Sequence, residues 1–166
     1  MPTDLNVIAR DILTDFELLL EEKDATVNLV NLPTIDAIPL QMSQLFGNLF
    51  GNALKFASKT KKPVITVTCT HMNVQEKTAA NLSPGLDYVK LECRDNGIGF
   101  KPEYAEQIFH IFQRLHRKSE YEGTGIGLAM CKKIALNHNG DINAKGSSEN
   151  GAVLNVFLPV KQPPAL

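Results

Sequence analysis

The chain has few cysteines, no long apolar run and almost no net charge, and each shortage excludes a class of protein. Its three cysteines, Cys69, Cys93 and Cys131, are an odd number with no Cys-x-x-Cys spacing. Neither a disulfide framework nor a cysteine metal site is expected, and all three read as small core residues in a reducing cytosol. No apolar stretch approaches the roughly 20 residues that a bilayer-spanning helix needs. Asp4 stands early and no signal-peptide pattern accompanies it, so any membrane anchor is expected outside this sequence. A net charge of −1 gives no electrostatic footprint for nucleic acid or a membrane surface. The local exception is the basic stretch Arg114 to Lys118. There is no internal repeat and no low-complexity segment.

What is present fits one domain. A chain of 166 residues buries roughly 70% of its unfolded surface on folding, enough for a real core. Asp4 is placed to cap a helix over Leu5 to Glu22, where Leu5, Ile8, Ile12, Phe16, Leu19 and Leu20 recur at helical spacing. A strand follows over Thr26 to Leu29, with a break at Pro33. A second helix spans Leu40 to Ala57 behind Pro39, and Lys59 to Pro63 forms a basic turn. Strands are expected over Val64 to Thr70 and Tyr88 to Arg94, joined by a variable polar hairpin loop from His71 to Asp87. A short helix inside an irregular stretch covers Phe100 to Lys118, and Glu120 to Gly123 is a loop. A helix covers Thr124 to Asn139. Strands over Asp141 to Lys145 and Ala152 to Val160 flank a turn from Gly146 to Gly151. The tail Gln162-Pro163-Pro164 is expected to fray. Helices and strands are interspersed without simple βαβ alternation. The pattern therefore reads as α/β of the α+β kind. It is a two-layer sandwich with a mixed, mostly antiparallel sheet of about five strands and helices on one face.

Three segments carry chemistry. On the second helix, Asn48, Asn52 and Lys55 fall on one face at i, i+4 and i+7, and Gln44 extends the line. Met42, Leu45, Phe46, Leu49, Phe50, Ala53 and Ala57 crowd the other face. Asparagine is a poor helix former, but its neutral amide oxygen is a good hard ligand for Mg²⁺ beside phosphate oxygens. Lys55, one turn on, is placed to meet phosphate. Alone, the stripe also fits a solvated helix face. Asp95-Asn96-Gly97-Ile98-Gly99-Phe100 follows a strand. A buried carboxylate there accepts from an exocyclic amino group, which adenine offers and guanine replaces with a carbonyl. Gly97 and Gly99 allow the backbone to turn and approach a ligand closely. A plain Asp-Asn-Gly turn is the other reading. Gly123-Thr124-Gly125-Ile126-Gly127-Leu128 opens a helix whose free N–H groups suit phosphate. It is neither a Walker A loop nor a dinucleotide fingerprint, and a flexible loop before a helix has the same look. The long excursion Phe100 to Glu122 between the two glycine clusters reads as a lid. It carries Ile108, Phe109, Phe112 and Leu115; the aromatics Phe109 and Phe112 would pin its short helix to the domain, and they also read as core.

Order and spacing identify a family that single motifs leave open. Asn48-Leu49-Phe50-Gly51-Asn52-Ala53-Leu54-Lys55-Phe56 resembles the N box of histidine kinases. Asp95 to Gly99 resembles the G1 box, Ile108 to Arg114 the F box, and Gly123 to Leu128 the G2 box. The resemblance covers residues 5–160, nearly the whole chain, and Phe112 to Tyr121 is similar to phytochrome-like and related PAS-linked kinases. It implies one domain over 1–166 with the Bergerat ATP-binding fold shared with gyrase-type and chaperone ATPases. The implied cofactors are ATP and Mg²⁺. Asn52 would ligate Mg²⁺ with Asn48 assisting, Lys55 would contact phosphate, Phe56 would lie near adenine, and Asp95 would bind adenine N6. Gly97, Ile98, Gly99, Thr124, Gly125, Ile126, Gly127 and Leu128 would line the nucleotide pocket and lid hinges, with Arg114 a candidate phosphate contact.

The sequence departs from the family pattern in three places. Gly151-Ala152 is a thin last glycine box. Ile38 precedes Pro39 where an acidic residue often stands. His71, His110, His116 and His138 are followed by Met, Ile, Arg and Asn, whereas the family's phospho-acceptor histidine precedes Glu or Asp in a helical hairpin. The acceptor and its dimerisation hairpin are thus expected on a separate segment, with a response regulator as indirect partner. A cytoplasmic, isolated monomer, the cytosolic part of a sensor, is the expectation. In hydrolytic relatives a Glu stands one turn before the metal-binding Asn. Asn48 holds that place here, which favours transfer over hydrolysis. A nucleotide-binding regulatory module, or an ATPase of the same fold, is the alternative.

Overall fold

The computed structural model describes residues 1–109, 127–147 and 151–164. The main sheet has five strands. In spatial order they are β2 (Thr26–Val30), β4 (Val64–His71), β5 (Tyr88–Asp95), β7 (Gly151–Pro159) and β6 (Asp141–Ser147). Only β2–β4 is parallel among these pairings. A parallel neighbour needs a long crossover, and the segment between the two strands carries α3 (Pro39–Lys55). The expected mixed, mostly antiparallel sheet is present. A short ribbon of β1 (Pro2–Asp4) against β3 (Thr34–Asp36) adds to it.

One face of the sheet is the core face, because strand residues alternate between faces. Ile65, Val67, Val89, Leu91, Cys93, Ile142, Ala144, Leu154, Val156 and Leu158 are buried there in one cluster. Met42, Leu45, Phe46, Leu49, Phe50, Ala53 and Leu54 of α3 join them, with Cys131, Ile134 and Ala135 of α5 (Gly127–Asn137). The apolar side of α3 is the one its heptad pattern marks. Burial pushes the thiol of Cys69 up to about 11 and that of Cys131 to about 12. Cys131 lies in the core, and Cys69 is half-buried against it.

The long N-terminal helix is in fact two, α1 (Leu5–Asp15) and α2 (Glu17–Lys23). Asp4 caps the first, accepting from the Asn6 N–H at 2.8 Å. The break falls at Phe16, whose ring lies against α3 at Gly51, so that a Cβ there would sit 3.6 Å from the ring edge. Tertiary docking of this ring overrides the unbroken helical periodicity. Asp24, at φ 53°, ends α2 in the left-handed region.

Two further expectations are corrected. The β4–β5 connection is not all loop: α4 (Val74–Ala79) stands in it, closed by a capping box. Asn73 Oδ1 accepts from the Glu76 N–H at 2.8 Å and Glu76 Oε1 accepts from the Asn73 N–H at 3.1 Å. The ammonium of buried Lys77 then donates to the Leu86 carbonyl at 3.0 Å. The tail is fastened at Gln162, not frayed. Its N–H donates to Asp36 Oδ2 at 3.1 Å and its Nε2 to the His138 carbonyl at 2.9 Å.

The start of α3 has no side-chain cap of its own. Buried His138 serves instead: Nε2 accepts from the Ile38 N–H at 3.1 Å, and Nδ1 lies 2.8 Å from the Ile134 carbonyl. That pairing fixes the neutral Nδ1–H tautomer. No helix among the described residues is long and apolar enough to cross a membrane.

Candidate functional site

The helices α3 and α5 run antiparallel, and this places the chemistry. Ile38 meets His138 at one end. The Leu45 carbonyl lies 4.0 Å from Cys131 Sγ in the middle. At the other end, Asn48 Oδ1 lies 3.6 Å from where a Cβ on Gly127 would be. The amide face of α3 therefore abuts the N-terminus of α5, where backbone N–H groups concentrate partial positive charge. Asn48 and Asn52 are half-buried, and Gln44 on the same line is exposed.

The C-terminal end of α3 meets the loop after β5. The Phe56 carbonyl accepts from the Ile98 N–H at 3.0 Å. Gly97 is pressed against that same carbonyl, so a side chain there would collide with it. Gly99, at φ 65°, takes the backbone through the left-handed region. Lys55 closes α3 with its ammonium 5.5 Å from the Phe56 ring centroid.

Asp95 ends β5 in a half-buried position. Its Oδ1 accepts from the Gly97 N–H at 2.8 Å and from the Ala152 N–H at 3.3 Å. Burial raises its pKa above the ordinary carboxylate value, and the bonds from Gly97 and Ala152 oppose the rise. Asn96 faces away and fastens the loop. Its Oδ1 accepts from the Val64 N–H at 2.8 Å and its Nδ2 donates to the Lys62 carbonyl at 3.0 Å.

The contacts link Asn48 on α3 with Gly127 opening α5, and Phe56 with Gly97 and Ile98 after β5, where the Gly97 N–H also donates to Asp95; Asn52, Lys55, Gly99 and Leu128 lie in the same segments. Arg114, Thr124, Gly125 and Ile126 lie outside the described residues, as do Phe112, Leu115 and most of the expected lid. Ile108 is buried and Phe109 half-buried in a 3₁₀ turn (Gln107–Phe109) that packs on α5. Sequence reasoning gave little weight to Gly151 and Ala152, yet both touch Asp95. The only available signal was a Gly before a strand, which is common.

The donors fit a metal that arrives with its own oxygen ligands. Among the described residues no group of three His, Cys, Asp or Glu is placed to hold a metal ion. Neutral amide oxygens on α3 suit a hard cation whose remaining ligands are phosphate and water.

An α/β sandwich with an amide-bearing helix, a carboxylate-glycine loop and a glycine-opened helix around one region defines a nucleotide-binding class of protein. Residues 37–162 match the model of the histidine kinase-, DNA gyrase B- and HSP90-like ATPase family, and the chain belongs to that family. Within it, the chain has the Bergerat fold and resembles the catalytic ATP-binding domains of histidine kinases. It is 34% identical over 158 residues to the phytochrome-like protein Cph1 of Synechocystis sp., covering 95% of this chain and 19% of that protein. It is 39% identical over 139 residues to cyanobacterial phytochrome A of Nostoc sp., covering 84% of this chain and 16% of that protein. The chain thus spans less than a fifth of the length of these curated relatives. The solved catalytic domain of histidine kinase ThkA superposes with a TM-score of 0.72 at 23% identity, covering 97% of each chain. The full-length ShkA structure in complex with AMPPNP gives 0.75 at 22% identity, covering 99% of this chain and 32% of that one.

Proposed function

We propose that this domain holds Mg-ATP and presents its γ-phosphate to a histidine on a separate dimerisation hairpin, for relay to a response regulator. The observation that carries the reading is the junction of Asn48 with Gly127 at one end of the site and of Phe56 with Gly97 and Ile98 at the other. These two junctions support a site that runs along α3 between the Asp95 loop and the start of α5.

Asp95 accepts the exocyclic amino group of adenine through its carboxylate. A guanine carbonyl at that place would leave a desolvated acceptor facing another acceptor, a mismatch of about 1–3 kcal/mol. Asn52, with Asn48 beside it, ligates the cation through amide oxygens. Mg²⁺ supplies neutralisation of charge on the polyphosphate. Lys55 and the N-terminal amides of α5 hold the phosphate oxygens in position. Asn48 has no basicity with which to activate water, and the acceptor imidazole is itself the nucleophile, so transfer is favoured over hydrolysis. The setting is cytoplasmic, and the partner hairpin belongs to the parent kinase.

The test mixes this chain with a separately produced acceptor hairpin and γ-labelled ATP. Label on the hairpin histidine that is acid-labile and needs Mg²⁺ is the expected result. Steady ATP hydrolysis with no labelled hairpin would replace the kinase reading with the ATPase one, and nucleotide binding with neither would leave a regulatory module.

A further inference from the structure

We propose that the start of β7, Gly151 with the Ala152 N–H, is the positioning element that sets the Asp95 carboxylate for base recognition. The inference rests on the reading of Asp95 as the base acceptor and adds the part of the fold that aims it. Two independent contacts converge. The Ala152 N–H donates to Asp95 Oδ1 at 3.3 Å across the sheet. Gly151, at φ 84°, lies directly on the Asp95 backbone, where a Cβ would collide with the carbonyl and come within 2.9 Å of the Gly97 nitrogen.

The ladder explains why this N–H is available. The β5–β7 pairing ends at Arg94 with Val153, one residue short of Asp95 and Ala152. The Ala152 N–H has therefore left the regular backbone ladder on that side, and a side chain takes it up in place of a carbonyl. The Gly97 N–H reaches the same oxygen at 2.8 Å from within the loop. Two backbone donors on Oδ1 fix the carboxylate rotamer, and no described residue donates to Oδ2. Backbone donors cost little reorganisation when the base arrives, which is the advantage of a preorganised acceptor. The small residues at 151 and 152 have a stated purpose on this account. Glycine allows the close approach at positive φ, and the N–H at 152 does the aiming without a side chain.

The test compares binding of ATP and inosine triphosphate, which replaces the amino group by a carbonyl, by calorimetry with Mg²⁺. Wild-type chain, Asp95→Asn, Ala152→Pro and the double variant are measured. Proline deletes the 152 N–H and also fixes φ there, and Ala152→Val, which keeps the N–H, controls for bulk. We expect Ala152→Pro to lose about tenfold in ATP preference, the scale of one hydrogen bond to a charged group. No further loss is expected in the Asp95→Asn background. The acid limb of ATP binding should also move to higher pH in Ala152→Pro, because a donor that favours the ionised carboxylate is gone. Wild-type discrimination in Ala152→Pro, with Asp95→Asn impaired, overturns the proposal and leaves the base-acceptor reading standing. Equal binding of both triphosphates by wild type and Asp95→Asn overturns that reading and the proposal with it. If Ala152→Pro does not fold, ¹⁵N-labelled wild type decides. The Ala152 amide proton must titrate together with that of Gly97, and a flat Ala152 resonance beside a titrating Gly97 overturns the proposal.

Discussion

The two ends of the site are built from different material. At the Asp95 end, proposed to meet the base, the backbone does the holding: Asp95 takes donors from Gly97 and Ala152, and Phe56 takes one from Ile98. At the α3 end, side chains project from a helix face, and no described residue hydrogen-bonds the amides of Asn48 or Asn52. The difference matches what each end would hold. A purine is rigid and presents a fixed edge, so a rigid acceptor suits it. A triphosphate with its metal is flexible and hydrated, and short amide arms on a stable helix can meet it in several geometries.

The largest effect is expected at the α3 end. Asn52→Ala should lower phosphotransfer to an acceptor hairpin by about 100-fold, the usual scale for removing one electrostatic ligand, while fold stability is unchanged. A fall confined to nucleotide affinity, with the transfer rate of bound ATP intact, would move Asn52 from chemistry to binding.

A smaller effect is expected at the base end. Asp95→Asn should weaken ATP by about tenfold, since one charged acceptor is exchanged for an amide. Acidification should do the same in wild type, because the carboxylate protonates within a range that burial has raised. The stability consequence has the opposite sign. Between the ordinary carboxylate value and the raised one, the folded state binds more protons than the unfolded chain, so stability rises as pH falls through that window. Asp95→Asn should flatten this slope, and denaturant unfolding at several pH values measures it. A wild-type chain that loses stability steadily across the same window would break the assignment of the raised pKa to this residue.

The smallest effect lies away from both ends. Asn73→Ala removes one half of the α4 capping box and should cost about 1 kcal/mol, read by denaturant unfolding, with ATP affinity unchanged. A change in nucleotide affinity there would show that the site is not confined to the two ends compared above.

Much of the fold was legible because period and chemistry agreed. The apolar stripe of α3 and the alternation of Val64 to Thr70 each have one physical solution once a core exists. What stayed hidden depends on contacts far apart in the chain. The α1–α2 break is set by Phe16 docking on Gly51, and the three-residue strands β1 and β3 exist only as partners of each other. The fastening of Gln162 depends on Asp36 and His138, over a hundred and over twenty positions away. The helix α4 is different, since Asn73 and Glu76 spell its capping box in the sequence and the surrounding polarity masked it. Motif order marked the candidate residues, but it gave no sign of the contact made with Asp95 by Ala152. Its contribution is a backbone N–H, and a sequence records no sign of which backbone groups are spared by a ladder.

The antiparallel fit of α3 and α5 makes the second helix a ruler. His138 is clamped to the start of α3, and Gly127 lies against Asn48. The eleven described residues of α5, at about 1.5 Å of rise each, fix how far Gly127 stands from the clamp. A single residue inserted in α5 would turn everything beyond it by about 100°. Either the imidazole or the glycine end would then miss its mark, although the site residues themselves would all still be there. The length of a helix, and not only the identity of the groups at its tip, is thus part of what this domain must keep.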